Sequence, residues 1–324
     1  MSKAVRIHTH GGVEDMRLEE VEAGAPGPSQ VRLRQTAIGL NFIDVYYRTG
    51  LYATPTMPAT LGVEGAGVIE AIGEGVSEFT PGDRVAYAGV LGAYAQHRLI
   101  AADRLVKIPA DITDSQAAAM MLQGLTAQYL VRRTYQVKKG DTVLVQAAAG
   151  GVGLILCQWA RHLGATVIGT VGSEDKAALA RAHGCHHTIL YKQEDFVRRV
   201  KELTRGDGVP VVYESVGKDT FEGSLNCLSP LGLMALFGQS SGKVPPFDLN
   251  ILASKGSLFI TRPTLGTYVA RRADLLAAAD DLFDKVRNAI IKIEIRQTYK
   301  LADIHQAHRD LEARKTTGSS VILP

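Results

Sequence analysis

Apolar and polar residues alternate along Val31-Arg32-Leu33-Arg34-Gln35, the two-residue period of a strand with one buried face. Gly62 to Ile72 is Gly-interrupted and β-branched, and the turn Pro81-Gly82-Asp83 leads into Arg84-Val85-Ala86-Tyr87. Ser115 starts a helix that runs into an alanine-rich stretch. After about residue 125 the texture changes. Short apolar runs at Thr142–Gln146, Thr166–Val171, His187–Leu190, Val211–Tyr213 and Leu233–Phe237 read as buried strands. Between them, Leu154–Leu163, Asp175–His183 and Phe196–Thr204 read as helices. Such alternation predicts a parallel sheet covered on both faces. The last stretch holds a helix over Ala273–Arg287, a strand over Lys292–Tyr299, a short helix over Ile304–Arg314 and a terminal strand over Ser320–Leu323. It is too short for a domain of its own and is expected to fold back onto the first region.

Composition narrows the function classes. The chain has 324 residues, 46% hydrophobic and 21% charged, so it folds around real cores, in about two domains. Lys+Arg 36 minus Asp+Glu 33 leaves +3, too weak a balance to imply nucleic acid or an anionic membrane. No basic run exceeds two residues and no RNP-like aromatic motif occurs, which argues further against nucleic acid. The three cysteines, Cys157, Cys185 and Cys227, cannot build a disulfide framework, and a reducing, cytoplasmic setting is expected. No apolar run reaches the roughly 18 residues of a membrane helix. The N-terminus has no apolar core of a signal peptide.

Residues 140 to 161 read GDTVLVQAAAGGVGLILCQWAR. A buried strand enters a glycine cluster and a helix starts at once. Gly150 and Gly151 would let the backbone approach a pyrophosphate, and Gly153 would let helix and strand pack closely. The phosphates would sit on free N–H groups at the helix N-terminus. Ala148 stands where a dinucleotide fingerprint has its first glycine, so the strand–turn–helix context carries the signal.

This stretch resembles the signature of the quinone oxidoreductase/ζ-crystallin branch of the medium-chain dehydrogenase/reductase superfamily. It fits at Gly140-Asp141, Leu144, Ala148-Ala149, Gly150-Gly151, Gly153, Gln158 and Arg161. Gly39 to Asp44, Gly62 to Gly67, Gly82 to Val85, Gly124-Leu125-Thr126 and Arg314 to Gly318 are also similar to this family, so the resemblance spans nearly the whole chain. It implies an α/β fold: a GroES-like, β-rich catalytic domain from residues 1–124 and 266–324, with a Rossmann domain of residues 125–265 inserted. It also implies zinc-independent reduction of a small quinone by NADPH. An enone or alkenal reductase is the rival within the class. A lens-like structural protein that binds cofactor without turnover is a different class.

Dinucleotide folds that prefer NAD carry an acid at the end of the second strand. Here Val167–Val171 ends in Gly172-Ser173, and Glu174 and Asp175 come one or two residues late, in the first turn of a helix. A small residue, a hydroxyl and Lys176 suit a 2′-phosphate. The resemblance adds Tyr191 and Arg314 to that pocket. It places Asn41 and Thr126 at the nicotinamide end and Gly151 and Val152 at the pyrophosphate. Ser215, Phe237-Gly238 and Ser240, which follow strands, complete the set.

Zinc enzymes of the superfamily use a cysteine near the place of Phe42 and a histidine in Gly-His-Glu. Here the latter is Gly62-Val63-Glu64, and no cysteine precedes Cys157, so no zinc site is expected. His183, Cys185, His186 and His187 do not make a convergent set, because neighbours on a strand face opposite ways. His8 with His10, and His305 with His308, read as surface pairs. Without zinc, the acceptor has to be electrophilic already, as quinones are. Tyr46 and Tyr52 flank Arg48-Thr49-Gly50 close after Asn41. Each can donate to a developing oxyanion or pack as an aromatic. Asp44 can orient a neighbour or pair with Arg48. No dedicated acid–base residue is expected. Ser257 to Pro263 reads as the last Rossmann strand, an apolar edge. The resemblance implies that it pairs with its own copy in a homodimer.

Overall fold

The computed structural model describes residues 1–324. The chain divides into two compact units, and the first comprises Met1–Leu125, Val269–Arg287 and Ile293–Pro324. The second comprises Thr126–Tyr268 and Asn288–Lys292.

The first unit begins with strands β1 (Ser2–Ile7), β2 (Met16–Val21) and β3 (Gln30–Leu40), then helix α1 (Phe42–Arg48). Strands β4 (Ala59–Thr60), β5 (Glu64–Ile72), β6 (Arg84–Ala88), β7 (His97–Ala101) and β8 (Val106–Lys107) follow, and helix α2 (Asp114–Ala118) closes this part. The sequence puts the start of α2 at Ser115. Thr113 caps the helix instead, accepting from Gln116 N–H, as an N-cap hydroxyl should. Helix α3 (Met121–Tyr129) leads into the second unit.

That unit runs β9 (Thr142–Val145), α4 (Gly151–His162), β10 (Thr166–Val171), α5 (Glu174–Ala182), β11 (His187–Leu190) and α6 (Phe196–Leu203). It continues with β12 (Val209–Glu214), α7 (Phe221–Asn226), β13 (Leu228–Leu236), α8 (Asn250–Ser254), β14 (Phe259–Thr261) and α9 (Leu265–Tyr268). Helix α10 (Arg272–Arg287), strand β15 (Ile295–Lys300), helix α11 (Ile304–Glu312) and strand β16 (Ser319–Leu323) complete the first unit. Strand β15 starts three residues later than the alternation at Lys292 predicts, because Asn288–Lys292 packs with the second unit.

In the first unit, β15-β16-β3-β5-β6-β8 form one sheet, with β7 also on β3, and β2-β1-β4 form another. The C-terminal strand β16 lies antiparallel on β3, Ser320 opposite Leu40. The core between is apolar and closed: Val5, Ile7, Leu33, Ile38, Leu61, Tyr87 and Tyr94 are all fully buried.

In the second unit six strands lie in the order β11-β10-β9-β12-β13-β14. Every neighbouring pair is parallel. Numbered within the unit, this is 3-2-1-4-5-6, the dinucleotide-binding order, with its switch point between β9 and β12. Successive residues of the central strands, Val143-Leu144-Val145 in β9 and Val211-Val212-Tyr213 in β12, are all fully buried, as strands covered on both faces should be.

Candidate active site

The cradle forms where β9 ends. Ala147 has φ +53, Gly150 caps α4 without a side-chain bond, and the helix starts at Gly151. The first N–H groups of α4 have no partner within the helix, and the dipole adds to their attraction for an anion. Gly153 makes the geometry possible: a Cβ there would lie 2.4 Å from Ala147 O and 2.8 Å from the Ala148 carbonyl carbon. Thr170 holds the turn from β10, its carbonyl accepting from Ala148 N–H at 3.0 Å and its hydroxyl from Ala147 N–H at 3.3 Å. These residues fit a dinucleotide pyrophosphate.

The tip of β10 presents Gly172 and Ser173. Ser173 caps α5, its Oγ accepting from Lys176 N–H at 3.4 Å. Tyr191 reaches the same tip, its hydroxyl 3.1 Å from where a Cβ of Gly172 would stand. Glu174 and Asp175 are exposed in the first turn of α5, where the helix dipole favours acids. Lys176 is half-buried beside them. The strand tip therefore offers space, a hydroxyl, a phenol and a lysine.

The ends of β12 and β13 are joined at the switch point. Ser215 Oγ donates to Gln146 O at 3.3 Å, Phe237 N–H donates to Glu214 O at 2.9 Å, and Ser240 N–H to Ser215 O at 3.3 Å. Gly238 lies against Ser215, where a Cβ would be 2.6 Å from the Ser215 carbonyl. Under them sits a buried acid that sequence reasoning missed. Glu214 accepts from Val216 and Gly217 N–H and from the hydroxyls of Thr220 and Ser224, while burial pushes its pKa up. Thr126 of this unit is buried in α3.

In the first unit, Asn41 is buried at the start of α1. Tyr46 and Tyr52 pack edge to face with ring centres 5.2 Å apart, and Phe42 and Tyr47 add to the cluster. Both tyrosines thus have a packing role. Arg314 lies in this unit just after α11, exposed, at φ +57.

Asp44 does not pair with Arg48. Asp44 is fully buried, accepting from Asn41 N–H at 2.9 Å and from the Tyr94 hydroxyl at 2.8 Å. Arg48 donates to His308 Nδ1 at 2.9 Å, to Gly11 O and to Glu312. His308 is not a surface residue; it is completely buried, and its Nε2 lies 3.1 Å from the Tyr94 hydroxyl. Since Nδ1 accepts from a guanidinium, Nε2 carries the proton, and one directed chain runs Arg48, His308, Tyr94, Asp44. A helical i, i+3 pair shows only which residues share a face; packing decided that this face of α11 turns inward at position 308. Sequence reasoning also missed Glu64, which is fully buried and accepts from Asn41 Nδ2 at 2.6 Å.

These buried groups make stability pH-dependent. Burial raises the pKa of Asp44 to about 7 and that of Glu64 to about 8. Folded values above the unfolded ones give stability that is full at low pH and lost as pH rises through the folded values. His308 is pushed down to about 3 by burial and Arg48, so its contribution is lost as pH falls below its ordinary range. Between about pH 5 and about pH 8 the two acids outweigh the one base, and the melting temperature is expected to fall. Asp44→Asn should flatten that decline. A melting temperature that climbs steadily over this range would show that the acids do not hold protons in the folded state.

Residues 27–110 match the alcohol dehydrogenase GroES-like domain, and residues 151–281 match the zinc-binding dehydrogenase family. A quinone oxidoreductase of Pseudomonas aeruginosa is 53% identical over 325 residues, covering all of both chains. The chain belongs to the quinone oxidoreductases of the medium-chain dehydrogenase/reductase superfamily. A 2-haloacrylate reductase of a Burkholderia species is 47% identical over 331 residues, covering 100% of this chain and 99% of that one. The structure of Escherichia coli quinone oxidoreductase complexed with NADPH superposes with a TM-score of 0.98 at 46% identity, covering 99% of this chain and 100% of that one.

In this quinone oxidoreductase chain the residues do not fit a zinc ion, despite the name of the second family. Val63 is buried beside Glu64, and all three cysteines belong to the second unit. His183 Nδ1 bonds Leu179 O, His186 Nδ1 accepts from Val167 N–H, and the Cys185 thiol faces His187 O. Each points to a different backbone group.

Proposed function

We propose that the protein reduces small quinones with NADPH, without a metal. The β10 tip carries this reading: it lacks the carboxylate that would hold a free ribose 2′-hydroxyl and gathers Ser173, Lys176 and Tyr191 instead. NADPH, when bound, supplies the hydride. The protein's part is to bind, orient and exclude water. In the second unit Gly150, Gly151 and Val152 take the pyrophosphate, and Gly172, Ser173, Lys176 and Tyr191 take the 2′-phosphate. Ser215, Phe237, Gly238 and Ser240 line the strand ends, with Thr126 toward the nicotinamide. In the first unit Asn41 is assigned to the nicotinamide, Arg314 to the phosphate, and Tyr46 and Tyr52 to the acceptor. Quinone oxidoreductase relatives and the NADPH-bound neighbour support the assignment.

The test is an acceptor panel with NADPH. 1,4-Benzoquinone should turn over faster than an α,β-unsaturated aldehyde or a 2-haloacrylate. Preference for the haloacrylate would favour the reading suggested by the Burkholderia relative. Prolonged chelation should leave activity intact. Zinc at about one per chain, with activity lost on its removal, would overturn the metal-free reading.

Three free, buried cysteines support a reducing, cytoplasmic setting, and no helix is long and apolar enough to cross a membrane. Strand β14 supports a homodimer. It is the sheet edge, and Phe259 on it is 59% exposed. An open apolar edge pairs readily with a second copy of itself. Sedimentation at micromolar concentration should give a dimer, and Phe259→Asp should shift it toward monomer. A wild-type mass of 34.8 kDa throughout would refute the pairing.

A further inference from the structure

Asn41 stands in a hydrogen-bond relay that ends on Glu64. Glu64 Oε1 accepts from Leu122 N–H at 2.7 Å, a donor that cannot reverse. Glu64 Oε2 accepts from Asn41 Nδ2 at 2.6 Å. Asn41 Oδ1 accepts from Gln123 Nε2 at 3.1 Å, and Gln123 Oε1 accepts from the Ser319 hydroxyl at 2.6 Å. Ser319 Oγ is also 2.8 Å from Ala119 O, a second acceptor for its hydrogen. All four side chains are buried. Gly39 on β3 makes room for the acid, since a Cβ there would lie 2.2 Å from Glu64 Oε2.

We propose that Glu64 is a positioning residue: ionised, it accepts from Asn41 Nδ2, and carrying a proton it donates to Asn41 Oδ1 and reverses the whole relay. The consequence for catalysis rests on the reading that Asn41 meets the nicotinamide. In the reversed state Asn41 Nδ2 donates to Gln123 Oε1. Gln123 Nε2 donates to Ser319 Oγ, and the Ser319 hydrogen turns to Ala119 O. Every link of the relay keeps one donor and one acceptor in both directions, so neither direction breaks the chain. The amide oxygen and nitrogen of Asn41 exchange places. A ligand group that bonds one of them meets the wrong partner after reversal.

The titratable groups facing Glu64 are Asp44 from α1 and Tyr87 from β6, with Arg98 of β7 lying 4.7 Å over the Tyr87 ring. Helix α3 contributes only backbone N–H groups, from Met121 and Leu122. Burial first, and the Asp44 charge after it, pushes the Glu64 pKa up to about 8. Reversal therefore falls within the pH range of ordinary assays.

Glu64→Gln tests this, because glutamine keeps the shape and places a permanent donor opposite Asn41. Two quantities are measured from about pH 6 to about pH 9. One is kcat/KM for NADPH with benzoquinone. The other is the side-chain amide resonance of Asn41 in the cofactor-free protein. In the wild type kcat/KM should rise with pH to a plateau, and the Asn41 resonance should move over the same range. Glu64→Gln should show neither change and stay about tenfold below that plateau. A step that survives in Glu64→Gln overturns the proposal. A wild-type Asn41 resonance that stays fixed overturns it without any variant. Should the wild type reduce no quinone, the functional reading fails while the amide titration still decides the relay.

Discussion

Gly153→Ala is expected to weaken NADPH binding at least about a hundredfold, roughly 2.7 kcal/mol. The new methyl would lie 2.4 Å from Ala147 O and within 2.8 Å of the Ala148 carbonyl. These are backbone atoms and cannot swing aside. The turn they belong to is tied to Thr170, and α4 is anchored by Leu154, Ile155, Leu156, Cys157 and Trp159, all buried. Either the cradle opens or the helix leaves its seat, and both move the N–H groups that receive the pyrophosphate. Fluorescence titration and a melting curve read the two effects separately. Binding equal to wild type would mean that the cradle does not hold the phosphates.

NADPH should bind at least about tenfold tighter than NADH, about 1.4 kcal/mol. Lys176→Ala should remove most of that difference by weakening NADPH alone. The Ser173 hydroxyl oxygen is already used as the cap of α5, leaving its hydrogen for a phosphate oxygen. A lysine one turn into the helix then supplies the charge. NADH, with a neutral hydroxyl, loses little. Equal losses for the two cofactors would remove Lys176 from the phosphate pocket.

Much of this architecture was legible in the linear pattern. The apolar runs from Thr142 to Phe237 announced the parallel sheet, because strands covered on both faces need no polar alternation. Gly150, Gly151 and Gly153 announced the turn, because there a buried strand meets a helix through three residues without a Cβ in four positions. The missing acid after Val171 was visible in the same way. Helix α1 is not legible in the sequence, since Phe42 to Arg48 is only seven residues long and mixes aromatic and charged positions without a clear period.

By itself, the sequence determined the local features: which runs make strands, where the backbone can approach a phosphate, and that position 63 offers no metal ligand. Those properties belong to single residues and their near neighbours. The tertiary structure alone decided which polar groups lose water. Asp44, Glu64 and His308 look like ordinary charged or surface residues in the chain. Their partners come from far away: Arg48 meets His308 across 260 positions, and Ser319 meets Gln123 across 196. Ionisation depends on burial and on such partners, and both exist only once strands from the two ends of the chain share one sheet.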